Sequence, residues 1–146
     1  MSLVSTEWLE KNLSKVRIID ASWHMPNSQR DAYEEYSKAH IENAVFFDLD
    51  KSSNEESPFP HMLPNEEEWG KIVSDSGVKN SDHLIIYDNS DTISSCRCWY
   101  SFIYFGHEPN KVSVLDGGLK KWLNEKKPIT DTVSYTHLTL PTICSV

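Results

Sequence analysis

The sequence predicts an α/β fold, a parallel sheet covered by helices on both faces. Three observations carry this reading. Short apolar runs alternate with longer amphipathic segments, the short runs are apolar throughout rather than at every second residue, and each runs out into Asp. Uninterrupted apolar strands are those buried on both faces, and strands that alternate with helices are joined by parallel connections. A chain of 146 residues with 38% hydrophobic residues and five Trp is one domain, long enough to bury about two-thirds of its unfolded surface.

The elements follow in order. Ser5 and Thr6 precede an acidic first turn with Trp8, Leu9 and Leu13 on one face, the signal of a short helix. Val16, Ile18 and Ile19 then form a strand that ends at Asp20. Residues 22–30 are a loop with Trp23, His24 and Pro26, and Asp31 to His40 is a Glu-rich exposed helix with Tyr33, Tyr36 and Ala39 toward the core. Ala44 to Phe47 is the next strand, followed by Asp48 and Asp50. Lys51 to Pro64 is a long loop pinned by Pro58, Pro60 and Pro64, and loops of that length inside a compact domain are usually functional or disordered. Asn65 with Glu68 reads as a capping box that opens a helix through Trp69, Ile72 and Val73, closed by Gly77. Leu84 to Tyr87 is a strand, the turn Asp88-Asn89-Ser90-Asp91 follows, and an aromatic helix runs from about Ser94 to Phe105 and stops at Gly106. Val112 to Leu115 is a further strand, Asp116-Gly117-Gly118 a tight turn, and Leu119 to Lys126 a helix with Leu119, Trp122 and Leu123 on one side. Sites on such sheets lie at the carboxyl ends of the strands, here Asp20, Asp48 with Asp50, Asp88 and Asp116.

Composition removes several function classes. Fourteen Lys and Arg against 22 Asp and Glu give a net charge of −8, which disfavours nucleic acid and anionic membrane as partners because both are bound through clustered basic residues. No basic run exceeds two residues, and apolar stretches such as Ala44 to Phe47 and Phe102 to Phe105 reach only four, far short of a membrane span. Three cysteines, an odd number, do not make a secreted disulfide framework. The expectation is a soluble cytoplasmic protein with free thiols. Phosphate loops of the GxxxxGK[ST] and GxGxxG types are missing, as are CxxC and HxxxH spacings, so neither nucleotide, metal nor other cofactor is expected.

Residues 132–146 contain no Asp, Glu, Lys or Arg, a run with a chance of about 1% at ordinary composition. They read either as a strand with a polar turn or as a tail that is not native coding sequence, since YTHLTLPT resembles vector read-through. The expected division is a domain over 1–130 and a tail over 131–146.

Three groups of residues could carry chemistry. Cys96 and Cys98 fall in the first turn of the aromatic helix, where the helix dipole favours a thiolate, although a free Cys is more often a small buried hydrophobe. Arg97 between them could bind an anion or pair with a carboxylate. Asp50 and His61 form the sharper pair, because a carboxylate that accepts one ring N–H fixes the imidazole and leaves its other nitrogen to move a proton. A plain structural role for a loop histidine remains the alternative.

Taken together, VSTEWLEKNL, RIIDASWHMP, RDAYEEYSKAHIENAVFFDLD, SPFPHMLP, IIYDNSD, RCWYSFIYFGH and VSVLDGGLKKWL resemble the amino-terminal domain of the two-domain rhodanese family, over about residues 3 to 130. HMLP is similar to the 3-mercaptopyruvate sulfurtransferases of that family. The resemblance implies a rhodanese-like domain with a central parallel sheet of about five strands and helices on both faces. It implies sulfur transfer from 3-mercaptopyruvate or thiosulfate through a cysteine persulfide, carried by a carboxyl-terminal domain that is the missing partner. The amino-terminal domain is the silent half: where the active domain has a cysteine-bearing loop, Tyr87 is followed here by Asp88. The family's relay implies catalytic roles for Asp50 and His61 and a substrate-binding role for Arg97. Two departures stand out. HIENA replaces the usual HIPGA, and SSCRCWY replaces SAPRVWW, so Cys96 and Cys98 inherit no family chemistry. A partnerless half would bare its docking face, which makes self-association an expectation. Two other readings are a stand-alone inactive rhodanese-like binding or regulatory domain, and a redox role for Cys96 and Cys98.

Overall fold

A computed structural model describes residues 2–49, 63–90 and 94–132. Five strands form one sheet in the order β1-β5-β4-β2-β3, all pairs parallel. The strands are β1 (Leu3–Val4), β2 (Arg17–Asp20), β3 (Val45–Phe46), β4 (Leu84–Tyr87) and β5 (Val112–Leu115). The helices are α1 (Thr6–Asn12), α2 (Ala32–Lys38), α3 (Glu66–Asp75), α4 (Ser94–Tyr104) and α5 (Gly118–Asn124).

Strand side chains point alternately to the two faces, and the two cores divide accordingly. Ile19, Leu84, Ile86 and Val112 pack against Trp69 of α3 and Cys98 and Phe102 of α4. Ile18, Ile85, Tyr87 and Leu115 pack against Leu9 of α1, Tyr36 of α2, and Leu119 and Trp122 of α5. Both layers therefore exist, and the expected α/β fold is the observed one. Each large apolar side chain sealed this way stabilises the fold by roughly 1.5–3 kcal/mol before entropy is counted.

Local chemistry sets the helix ends. The Ser5 hydroxyl accepts the Trp8 N–H at 3.0 Å and opens α1; the Asp31 carboxylate accepts the Glu34 N–H at 3.0 Å and opens α2. In α3 the Asn65 side chain takes the Glu68 N–H at 2.8 Å while Glu68 takes the Asn65 N–H at 3.2 Å, the capping box read from the sequence. Gly77 and Gly106 follow α3 and α4 at φ +74° and +95°, a conformation that favours glycine.

Several details differ from the sequence reading. β1 is an additional edge strand, held on β5 by the Val114 N–H to Ser2 O and the Asp116 N–H to Val4 O, both 2.9 Å. Two residues carry no periodicity, so it left no pattern to find. Tyr33 is half exposed rather than turned to the core, because Tyr36 fills that place and Tyr33 lies edge-on to Phe46 at 5.3 Å. Leu123 is likewise 40% exposed, since Leu119 and Trp122 already make the buried stripe of a helix only seven residues long. Residues 26–28 form a 3-10 turn inside the 22–30 loop.

The chain returns after α5 to be stitched back. Trp122 is fully buried and its indole N–H donates to Pro128 O at 2.8 Å. His40 and Thr130 form an antiparallel bridge with N–H to O distances of 2.9 and 2.8 Å. The buried His40 ring, stacked on Tyr36 at 4.3 Å, has Nδ1 2.7 Å from Tyr36 O and Nε2 2.9 Å from Thr132 O. The 51–62 part of the long loop and residues 133–146 of the tail lie outside the described residues.

Candidate functional site

β2 leads outward to β3 while β4 leads the opposite way to β5, so the connections diverge between β2 and β4. Open parallel sheets place their crevice at that switch point, outside the carboxyl ends of the strands. Here those ends are Asp20 and Tyr87, which sit opposite one another in the register.

The Asp20 carboxyl is 2% exposed and accepts the Ser22 N–H at 2.9 Å. The Tyr87 hydroxyl bonds to Asp20 and receives the Ile41 N–H at 3.2 Å. Burial pushes Asp20 up to about 6, against the opposing pull of Ser22 and Tyr87, with the nearby negative charge of Asp88 adding to the rise. Burial also pushes the Tyr87 phenol well above its ordinary range. This layer seals the floor and orients the loops above it.

A second network lies outside the floor. The Ser22 hydroxyl accepts the Asn89 N–H at 2.7 Å, and Asn89 O accepts from Arg30 at 3.0 Å. The Arg30 guanidinium grips Glu35 through both oxygens at 2.9 Å, and His24 Nε2 sits 2.9 Å from the same carboxylate. Arg30 beside Glu35 holds that carboxyl below its usual range. Ser22, His24 and Arg30 of this network wall an open cleft of about 220 Å³ lined also by Trp23, Tyr33, Asp48 and Leu49. The arrangement fixes the His24 ring through Nε2 and joins the β2 loop, the β4 loop and α2 into one unit.

Asp88 faces inward across the start of α4. Its Oδ2 accepts the Ser95 N–H at 2.8 Å and its Oδ1 the Ser90 N–H at 3.3 Å. A carboxylate thus already sits on the N–H groups of the first turn of α4, where an anion is favoured. Gly118 packs against this loop: a Cβ built on it would meet Asp88 O at 2.7 Å, and the Leu119 N–H donates to the same oxygen at 3.0 Å.

Arg97 lies in that first turn with Nε 3.4 Å from the Ser101 hydroxyl, and burial draws its guanidinium below the ordinary value. Of the two readings of Cys96 and Cys98, a thiolate at the helix start or a small packed hydrophobe, the second is the one that fits. Burial raises both thiols, Cys98 well above its range, and the charge of Asp88 raises Cys96 further. Desolvation in the core outweighs the dipole, and Cys98 is a fully buried member of the α4 packing layer. Asp50 and His61 lie outside the described residues; the described chain reaches Leu49 in the cleft wall, immediately before Asp50. Among the described residues no group of three or more His, Cys, Asp or Glu is placed to hold a metal ion.

Sequence reasoning missed the Arg30–Glu35–His24 network and the capping role of Asp88. The aspartates at the strand ends were the only signal for the second; the first lies within residues 24–35 but follows no helical or strand period, and its tie from Arg30 to Asn89 crosses 59 residues.

The chain matches the family described as rhodanese-like domain over residues 5–125. It is 47% identical over 122 residues to thiosulfate/3-mercaptopyruvate sulfurtransferase 1, mitochondrial, of Arabidopsis thaliana, covering 82% of this chain and 32% of that protein. It is 40% identical over 144 residues to 3-mercaptopyruvate sulfurtransferase of Mus musculus, covering 93% and 48%. Among solved structures it superposes on SseA from Escherichia coli, described with the rhodanese fold and the mechanism of 3-mercaptopyruvate sulfotransferases, with a TM-score of 0.86 and 34% identity over 92% of this chain and 52% of that one. The chain spans about a third to a half of the length of these relatives.

Proposed function

The chain belongs to the rhodanese-like domain family, and from that premise we propose that it is the catalytically silent amino-terminal half of a sulfurtransferase that moves sulfur from 3-mercaptopyruvate or thiosulfate through a cysteine persulfide. The observation that carries this reading is Asp88. It closes β4 at the switch point, its two oxygens occupied by the Ser90 and Ser95 N–H groups. A carboxylate cannot accept sulfane sulfur, and its charge opposes a thiolate in the same loop. The neighbouring thiols are no substitute, because burial keeps Cys98 protonated. A cysteine from a second, carboxyl-terminal rhodanese domain supplies the persulfide in this reading.

The domain contributes binding and proton transfer. Asp50 orients His61, whose other ring nitrogen moves the proton, and Arg97 at the start of α4 holds the anionic donor. The Asp20 and Tyr87 pair and the clamp of Arg30 on Glu35 fix the β2 loop and α2 at the carboxyl end of the sheet. The working compartment is the cytoplasm; among the described residues no helix is long and apolar enough to cross a membrane. We assign to the partner domain the face that exposes Met25 and Tyr33, both 51% exposed, and self-association of the isolated chain through it is the expectation. The division in this reading is a domain over 1–130 and a non-native tail over 131–146, of which Thr132 O still meets the His40 ring at 2.9 Å.

The test is to incubate the purified chain with 3-mercaptopyruvate, and separately with thiosulfate, then measure intact mass and trap transferred sulfur with cyanide. No added sulfur and no thiocyanate is the expected result. Turnover by this chain alone, abolished by His61→Ala, would overturn the silent-half assignment. A second reading, a stand-alone inactive domain used for binding, rests on the same Asp88. A native reading frame that stops at residue 130 would favour it, whereas one that continues into a second domain supports the first.

A further inference from the structure

The two ends of the sheet carry opposite charge. The carboxyl ends of the strands run into Asp20, Asp48, Asp88 and Asp116, whereas Lys15, Arg17 and Lys111 gather where β2 and β5 begin. In a chain of net charge −8 this basic end is a local inversion of sign. It holds the larger of the two clefts described, about 320 Å³, lined by Ser14, Lys15, Arg17, Ser81, Asp82 and His83.

The lining is rich in donors and poor in acceptors. Among the described residues the side chains of Ser14, Lys15 and Ser81 have no hydrogen-bond partner. The nearest carboxylate to Arg17 is Asp82, whose Oδ2 is 3.9 Å from Arg17 Nε and already accepts the Lys79 N–H at 2.7 Å. His83 packs its ring on Trp8 at 5.7 Å, and its Nε2 is buried without a hydrogen-bond partner. A buried polar atom without a partner is unfavourable in a folded protein unless a further group supplies the bond.

We propose that this cleft is a binding site for a small multivalent oxyanion of the phosphate or sulfate type, held by Lys15 and Arg17 with the serine hydroxyls beside them. Two cations and flexible hydroxyl donors around a concave surface suit a tetrahedral anion with acceptors on every side. The site stands at the opposite end of the strands from the switch-point crevice, so it is separate from the sulfur chemistry proposed above and does not depend on it.

His83 is the built-in reporter. Burial holds it below the ordinary imidazole value, and the positive charge of Lys111 presses in the same direction. Asp82, the acid in the lining, turns its Oδ2 to the Lys79 N–H and Arg17. An anion seated in the cleft offsets that positive field and moves the His83 titration upward in pH.

The experiment follows the ring and backbone resonances of the whole 146-residue chain as inorganic phosphate, methyl phosphate or sodium chloride is added at matched ionic strength. Phosphate is expected to shift residues 14–17 and 81–83 saturably and to raise the His83 titration midpoint, with chloride doing neither. Tighter binding of methyl phosphate than of inorganic phosphate would identify a phosphorylated small molecule as the source, and the reverse would identify the free ion. The double variant K15Q/R17Q should bind at least ~10-fold more weakly. Should it fold poorly, Lys15→Gln alone, on an exposed side chain, should still weaken binding about fivefold. Equal shifts with chloride would reduce the effect to ionic screening and overturn the proposal, as would unchanged affinity in the variants.

Discussion

Replacing Gly118 with alanine tests a close backbone approach between the α5 turn and the β4 loop. Gly118 has φ +61°, and its Cβ would lie 2.7 Å from the backbone oxygen of Asp88. The left-handed conformation costs an L-residue about 1–2 kcal/mol. The clash adds roughly 1–2 kcal/mol, because the obstacle is a carbonyl fixed by the Leu119 N–H and cannot swing aside as a flexible side chain would. The expected loss is therefore about 2–4 kcal/mol, a fall in Tm of roughly 6–15 °C for a domain of this size. Two other glycines calibrate the same chemical change. Gly106 has φ +95° with nothing within 4 Å, so alanine there meets strain but no clash. Gly70 lies inside α3 with open space around it, and alanine should stabilise by about 0.5–1 kcal/mol. Urea and thermal unfolding of the three variants should rank G70A above the parent, G106A below it and G118A lowest. A G118A protein within about 0.5 kcal/mol of the parent would refute the assignment of a fixed contact between the α5 turn and the β4 loop.

Three further outcomes follow from the site. The folded value of about 6 for Asp20 lies above its ordinary 3.8, so the fold gains stability as pH falls through that window and loses it as pH rises. Asp20→Asn should then be the more stable protein at pH 7, by at most about 3 kcal/mol, with the difference from the parent gone near pH 4 in urea titrations. Native alkylation mapped by peptide mass should leave Cys98 unmodified, while unfolded protein reacts; rapid native labelling of Cys98 would contradict its burial and raised thiol. Arg30→Gln should cost about 1 kcal/mol after discount for a side-chain pair that is 31% and 34% exposed. Because Glu35 is lowered in the folded state, that difference should shrink as pH falls through the Glu35 titration, and one that grows in acid would point to another cause.

The parts of the fold that were legible in the sequence are those whose cause is local. Asn65 and Glu68 declare a capping box because the two residues satisfy each other's backbone within one turn. Leu84 to Tyr87 announces a central strand because all four residues are buried. The rest depends on partners distant in sequence. Leu3 and Val4 become a strand only because β5 offers a free edge. Tyr33 and Tyr36 look equivalent on a helical wheel, and the packing of Ala44, whose carbonyl accepts the Tyr36 hydroxyl at 2.7 Å, decides which is buried. The positions of the strand-end aspartates were readable, but their different fates were not. Asp20 is sealed among Tyr87 and the Ser22 N–H, while Asp88 turns to the amino end of α4. Burial depth and neighbouring N–H groups set that difference, and neither is written in the residue type. Cys96 and Cys98 make the same point, since the helix-start position is common to both, yet Cys98 is sealed in the core while Cys96 stays partly exposed and is raised by burial and the charge of Asp88.

The stitch between His40 and the segment after α5 also sets the smallest useful piece of this chain. A fragment cut after Lys127 would keep every strand and helix of the described residues yet lose Pro128 O, Thr130 and Thr132 O, the partners of the Trp122 indole and of the His40 backbone and ring. Both side chains would remain buried beneath a missing seam. For a protein engineer, residue 132 is therefore a better place than the end of α5 to attach a tag or a fused domain. A fusion there starts from a point tied to α2 across the fold and does not begin at a frayed helix end.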